Sequence, residues 1–122
     1  PMTVTTILTA ILIGVISGVV AALCGVGGGV VMVPAFVALL GIPQKQAVAT
    51  SLAIIIPTAL TATIQNGRAG LVNWPLVGVT MVSSSILAYF GAGWLKSMSN
   101  DMLTKIFGVV LVLAGLRMLL VK

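Results

Sequence analysis

The stretch that decides the fold is residues 25–34, GVGGGVVMVP, in which four of the first five residues are glycine. Glycine inside a helix costs about 1 kcal/mol relative to alanine, so this run predicts a break in a helix. The apolar run 30–40 follows it and precedes the turn Gly41-Ile42-Pro43. That run is shorter than the roughly 20 residues a bilayer crossing needs. It therefore predicts a half-helix.

Longer apolar stretches lie on both sides of the half-helix. They are residues 4–23, 47–64, 76–95 and 102–121. Each meets or nearly meets the length of a membrane span, and Trp74 and Trp94 lie at opposite ends of the third, at the level where indole rings prefer the lipid headgroups. We therefore expect an all-α integral membrane protein, with about four transmembrane helices plus a glycine-broken half-helix at membrane depth. Residues 1–122 are expected to form a single membrane domain.

The composition excludes several classes of function. Of the 122 residues 60% are hydrophobic and 6% charged, and the mean hydropathy is +1.30, so a water-soluble fold is excluded. Histidine is absent and Cys24 is the one cysteine. No His/Cys metal cluster, Ser-His-Asp triad or intrachain disulfide can be assembled, so neither an enzyme nor a cofactor is expected. Nothing basic precedes the first apolar run, and we expect it to stay in the mature protein.

The positive charges are scattered, although the net charge is +5. They lie at Lys45, Lys96, Lys105, Arg68, Arg117 and Lys122. Because no basic stripe exists, no nucleic-acid partner is expected, and the cations are better explained as anchors at the lipid interface.

The orientation in the membrane is left open by these charges. If the glycine-interrupted N-terminal region counts as one crossing, Lys45, Lys96 and Lys105 fall on one side of the membrane. Arg68, Arg117 and Lys122 then fall on the other side. The positive-inside rule then selects no orientation. Such balance is expected of a chain that inserts both ways and pairs antiparallel with its own copy. Alternatively, a few charges set one orientation, and a re-entrant hairpin would change the count.

The glycine run also predicts a binding site. The half-helix begins near Val30, so its free N–H groups and positive dipole end point back at Gly25, Gly27, Gly28 and Gly29. Helix N-termini of this kind bind anions, and transporters use them in discontinuous helices. The alternative is a tight turn between two closely packed helices. Pro34 within the half-helix, and the polar residues of the next span, favour the binding site.

The second span carries a polar stripe. At 100° per residue one third of its circumference holds Thr50, Ser51, Thr58, Thr61 and Gln65. Pro57 adds a kink. The stripe is either the wall of a transport pathway or a set of hydroxyls that bond a neighbouring helix or their own backbone. On the first span Gly14, Gly18 and Ala22 form a small-residue ridge typical of helix contacts.

The scarcity of acidic residues indicates the charge of the expected substrate. Asp101 is the single acid, and with Ser99 and Asn100 it offers N-caps for the last span. A proton-coupled exporter of cations normally keeps a carboxylate inside a membrane segment, and this chain has none there. Backbone N–H donors, hydroxyls and excess positive charge fit small anions better.

Several segments together resemble the sulfite exporter family, also called TauE/SafE or 4-toluene sulfonate uptake permeases. They are Gly14 to Gly18, the run GVGGGVVMVP of residues 25–34, Gly41-Ile42-Pro43, AVATSL of residues 47–52, and GLVNW of residues 70–74. They recur in the family's order and at family-like spacing over nearly the whole chain.

The resemblance implies a membrane carrier or channel for small sulfur-containing or organic anions, such as sulfite, sulfonates or sulfoacetate, in the bacterial inner membrane. Family members are typically about twice as long and contain two related halves, so this chain resembles one repeat and is expected to form a homodimer. The family's motif positions carry over as Gly25, Gly27, Gly28, Gly29, Pro34, Thr50 and Ser51. Gln65 and Asn66 stand where the family often has a histidine or another polar residue.

Two other functions stay open on the sequence. One is a small dual-topology anion channel, which would conduct fast and without coupling. The other is a non-transporting structural subunit of a membrane complex.

Overall fold

The chain folds into five α-helices, and the computed structural model describes residues 2–25 and 28–121. The helices are α1 (Val4–Cys24), α2 (Gly29–Leu40), α3 (Gln44–Arg68), α4 (Trp74–Ser97) and α5 (Asn100–Leu120). Four of them are long and apolar enough to cross a membrane, and α2 is a shorter apolar helix of 12 residues. The residues described contain no strand. The expected all-α membrane architecture with a half-helix is therefore confirmed.

Two glycines shape the connection between α1 and α2. Gly25 ends α1 with φ 72°, and its N–H donates to the carbonyl of Ala21 at 3.0 Å. Gly28 precedes α2 with φ 82°. Both angles lie in the left-handed region, which costs a side-chain-bearing residue about 1–2 kcal/mol. The glycine run is therefore a true interruption of the helix, as its composition predicts.

The half-helix α2 runs back along α1. Gly28 lies so close to Ser17 that a methyl group added to Gly28 would be 2.9 Å from the Ser17 carbonyl oxygen. Further along α2, Phe36 belongs to the same buried cluster as Ile13, which lies one turn before Ser17. The glycine run therefore closes a helical hairpin. The buried core of this hairpin and α3 comprises Ile13, Met32, Val33, Phe36 and Ala47.

The first turn of α2 lies beside the middle of α3. A methyl group added to Gly29 would be 3.6 Å from Cδ1 of Ile55, and Ile55 is close to the midpoint of the 25-residue helix α3. The N-terminus of α2 thus lies halfway along a helix long enough to span a bilayer. The membrane depth of the glycine break stays a prediction.

The end of α4 and the start of α5 hold the start of α3 through two hydrogen bonds to Lys45. The backbone N–H of Lys45 donates to Oδ1 of Asn100 at 3.0 Å, and the Lys45 ammonium donates to the carbonyl of Lys96 at 3.2 Å. The N-cap of α5 itself is Ser99, whose Oγ accepts from the N–H of Met102 at 3.1 Å. Asn100, a predicted N-cap candidate for α5, instead caps α3 across the fold.

The cations of the described chain separate into two groups by position along the helices. Lys45 and Lys96 are in contact at one end, and Lys105 lies near the start of the adjacent helix α5. Arg68 and Arg117 lie in the last turns of α3 and α5, at the other end. The α1–α2 hairpin precedes every cation, so, contrary to the expectation for a re-entrant hairpin, it does not change the count, and the charges select no orientation. Lys122 lies outside the described residues.

Helices α4 and α5 contain no buried residue among those described. Tyr89 of α4 is 79% exposed and Leu119 of α5 is 85% exposed. In water such surfaces would drive aggregation, whereas in a bilayer they are normal lipid-facing or helix-facing surfaces. The packed part of this unit is thus the α1–α2–α3 cluster.

We predict that alanine substitutions at Gly25 and Gly28, the two glycines with positive φ described above, distinguish the cost of backbone strain from the cost of a steric clash. Gly25→Ala should cost about 1–2 kcal/mol from its positive φ, because nothing lies within 4 Å of the added methyl. Gly28→Ala should cost about 1–3 kcal/mol more, because the methyl also collides with the Ser17 backbone. Thermal unfolding in detergent measures both. Equal losses in the two variants would contradict the close approach of α2 to α1.

A second prediction concerns the cap of α3. Asn100→Ala removes the acceptor of the Lys45 N–H and should destabilise the protein by about 1 kcal/mol, the usual value of an N-cap. Asn100→Asp keeps an acceptor and places negative charge at a helix N-terminus, so it should retain wild-type stability. The same thermal measurement serves, and an Asn100→Ala variant as stable as the Asp variant would show that the cap contributes nothing.

Candidate functional site

A half-open groove lies between the C-terminal end of α1 and the C-terminal half of α3. Its volume is about 180 Å³. It is lined by Ala21, Ala22, Gly25, Thr58, Ala59, Ala62, Thr63 and Asn66. Alanine and glycine supply most of the wall, so the space between the two helices stays open. We call this cavity the α1–α3 groove.

The polar lining of the α1–α3 groove is uncharged. Thr58, Thr63 and Asn66 provide two hydroxyls and an amide, and none of the eight lining residues carries a charge. The Thr58 hydroxyl donates to the carbonyl of Ile54 at 3.0 Å, so it must rotate away to donate to a ligand. A ligand in this groove is held by dipoles rather than by an ion pair.

Two helix ends of opposite polarity lie near the groove: one is in its wall, and the other, the start of α2, contacts Ile55 one turn before Thr58 but does not line the groove. Gly25, in its wall, caps the C-terminus of α1, whose dipole end is negative. The N-terminus of α2 is positive, and no side chain among those described caps it. Within α2 the carbonyl of Gly28 accepts from the N–H of Val31 at 3.0 Å, whereas the N–H groups of Gly29 and Val30 have no acceptor within the helix. Negative charge on a ligand is favoured toward α2.

A second, smaller and partly open cavity lies next to the groove, between α1, α2 and α3. Its volume is about 30 Å³, and we call it the inner cavity. It is lined by Gly14, Ser17, Gly18, Met32, Ile54 and Thr58. Thr58 is shared by both cavities and so forms the boundary between them. The ridge of Gly14, Gly18 and Ala22, interpreted from the sequence as a helix contact, thus lines both cavities.

The structure brings some of the predicted site residues together. Gly25, Thr58 and Asn66 line the α1–α3 groove. Gly28 and Gly29 form the start of α2, next to Ser17 and Ile55 respectively. Gly27 lies outside the described residues.

Four other predicted residues line neither the groove nor the inner cavity. Thr50 and Gln65 are exposed on α3. Ser51 is 2% exposed, and its hydroxyl donates to the carbonyl of Val48 at 2.9 Å. Pro34 lines a separate cleft of about 360 Å³ between α2 and α5.

The hydroxyls of the polar stripe bond their own helix. Ser51 donates to Val48, Thr58 to Ile54 and Thr61 to Pro57. Among the residues described, these hydroxyls make no bond to another helix. Of the two predicted roles of these hydroxyls, the observed hydrogen bonds support bonding to their own helix. Thr58 also lines both cavities.

Sequence reasoning missed part of the groove. Ala59, Ala62 and Thr63 were not predicted, although they recur with the predicted Asn66 at the spacing of one helical face, so a signal for a small, polar surface on α3 was present. Ser17, which lines the inner cavity, carries no comparable signal, because a serine between small residues of a span is ordinary.

Comparisons with known proteins agree with this architecture. A family model described as "Sulfite exporter TauE/SafE" matches residues 10–122. "Probable membrane transporter protein YunE" of Bacillus subtilis (strain 168) is 35% identical over 113 residues, covering 89% of this chain and 40% of the relative. "Probable membrane transporter protein" of Haemophilus influenzae is 28% identical over 123 residues, covering 95% of this chain and 47% of the relative.

The chain thus spans somewhat less than half the length of these curated relatives. No solved structure matches it. The four apolar helices indicate an integral membrane protein, and the bacterial relatives, both named as probable membrane transporters, support a location in the plasma membrane. With a family match that covers nearly all of its residues, this chain belongs to the sulfite exporter TauE/SafE family.

Proposed function

We propose that this unit transports small sulfur-containing or organic anions, of the sulfite, sulfonate or sulfoacetate type, across the bacterial inner membrane. The observation that carries the proposal is the uncharged α1–α3 groove beside the uncapped N-terminus of α2. Family membership supports membrane transport of the sulfite exporter type, and the groove supplies a place for the anion.

The electrostatics of the groove favour an anion with its charge directed inward. The N-terminus of α2 is worth roughly half a positive elementary charge, and the C-terminus of α1 has the opposite sign. A negative group therefore lies more favourably toward Gly28 and Gly29 than at Gly25. Asp101, the one acidic residue, lies in the first turn of α5, which is not part of the groove.

Binding by dipoles rather than by an ion pair suits a transporter. Backbone N–H groups at Gly29 and Val30 and the side chains of Thr58 and Asn66 can replace part of the anion's hydration shell. A buried ion pair would hold the anion more strongly and release it more slowly. Gly25, Gly28 and Gly29 keep the backbone bare, and Gly27 belongs to the same run. Pro34, Thr50, Ser51 and Gln65 are not needed for this site.

We further propose that the unit acts as a homodimer, equivalent to one repeat of a two-repeat transporter. Helices α4 and α5 contain no buried residue among those described, so they offer surface to a second copy. The matched relatives are more than twice as long as the segment they share with this chain, in keeping with two such units. The near balance of cations at the two ends is compatible with an antiparallel pair.

Filling the groove should abolish transport. Ala62→Leu places a large side chain in the groove wall, and we expect the uptake of radiolabelled sulfite into proteoliposomes to fall at least tenfold. Ala53→Leu makes the same change on the exposed opposite face of α3 and should leave uptake near wild type. Equal uptake in both variants would remove the groove from the pathway.

The same assay separates the two other functions. Wild-type flux that is far faster and uncoupled would identify an anion channel instead of a carrier. Wild-type protein that folds but transports no anion would identify a structural subunit.

The dimer is tested by mass and by topology. Light scattering of the purified 12.4 kDa chain in mild detergent should give twice the monomer mass, and a monomer would contradict the proposal. With Cys24 replaced, a reporter cysteine at Lys122 should be labelled from both membrane faces if the pair is antiparallel. Labelling from one face alone would leave a parallel dimer.

A further inference from the structure

Ser17 is the one buried side chain of the described residues whose polar atom has no hydrogen-bond partner. It lies in the middle of α1 and is 3% exposed. A buried hydroxyl that makes no bond keeps the cost of losing water without compensation. Such a group calls for an explanation by a ligand or an ordered water.

Every other Ser or Thr hydroxyl within the helices is either hydrogen-bonded or belongs to an exposed residue. Seven of them donate to a carbonyl three or four residues earlier in their own helix. They belong to Thr9, Ser51, Thr58, Thr61, Ser83, Ser84 and Thr104. Ser17 has the same bond within reach of its own helix and does not make it.

The position of Ser17 relates it to the proposed site. A methyl group added to Gly28, the N-cap of α2, would lie 3.2 Å from Cβ of Ser17. Ser17 also lines the inner cavity, which shares Thr58 with the α1–α3 groove. An unpaired hydroxyl, the positive end of α2 and a small cavity that shares Thr58 with the groove therefore lie next to one another.

We propose that Ser17 is a substrate-binding residue, whose hydroxyl donates a hydrogen bond to one oxygen of the bound anion. This inference rests on the proposed function and extends it. The inner cavity has a volume of about 30 Å³, which admits a group the size of one water molecule and excludes a whole sulfonyl group. One oxygen enters past Thr58 toward Ser17 and α2, while the rest of the anion stays in the groove.

This arrangement makes the site selective for oxyanions. An oxygen that projects from a tetrahedral or pyramidal sulfur can reach a narrow cavity, and its negative charge then lies nearest to the N-terminus of α2. The organic part of a sulfonate remains toward Ala59, Ala62 and Asn66, where the groove is wider. The ligand class is therefore a sulfur oxyanion with one small exposed oxygen.

The variant Ser17→Ala tests the proposal with two measurements, ligand affinity and thermal stability. The affinity should fall, whereas the stability should not. The dissociation constant for sulfoacetate, measured by calorimetry on the purified protein in detergent, should rise about tenfold, the equivalent of one hydrogen bond to a charged group. Thermal stability without ligand should stay equal or increase, because the variant removes an unpaired buried hydroxyl. A hydroxyl that only supports the fold would give lower stability with unchanged affinity.

Two further variants complete the experiment. Ser17→Cys keeps a weaker donor of similar shape and should give an intermediate affinity, and it serves also if the alanine variant fails to fold. Ser83→Ala is the matched control, because that exposed hydroxyl already bonds Val79, and its affinity should equal that of wild type. If both Ser17 variants bind sulfoacetate as tightly as wild type does, the role proposed for Ser17 is wrong and the proposed function is unaffected. No binding by wild type overturns both.

Discussion

The close contact between the backbone at Gly28 and the carbonyl of Ser17 is the constraint on which the rest of this unit depends. With 2.9 Å available where a Cβ would lie, only glycine allows α2 to fold back along α1. The same contact brings the uncapped end of α2 to the middle of α3, beside a partly open cavity of about 30 Å³. Without this contact, the glycine run would be a loop at the end of a membrane span rather than a helix break within one.

This geometry supports the proposal that a chain with a single acid and no histidine binds anions. A helix that starts in the interior presents N–H groups where lipid could not satisfy them. The protein therefore has either to cap these groups or to leave them for a solute. Among the described residues no side chain caps α2, and the one unpaired buried hydroxyl lies beside it. Both observations describe an environment that water or an anion would complete.

Much of the fold could be predicted from the sequence, because lipid imposes strict rules. Apolar stretches 4–23 and 102–121 correspond closely to α1 and α5, since a bilayer fixes the length of a span. Stretch 47–64 underestimates α3, which continues through the polar residues at both ends to cover Gln44–Arg68. Asn100 was predicted to cap its own helix and instead caps α3, because a capping bond between distant segments leaves no local pattern.

The sequence by itself determined the membrane class, the helical spans and the break within the glycine run, because composition and length are local properties. Only the tertiary structure decided the rest. Gly25, Thr58 and Asn66 share a groove, whereas Ser51 faces the interior and Pro34 faces α5. Ser17 lies next to Gly28, which is eleven residues later in the chain. These relations depend on how α1, α2 and α3 pack, and packing joins residues whose spacing in the chain carries no signal.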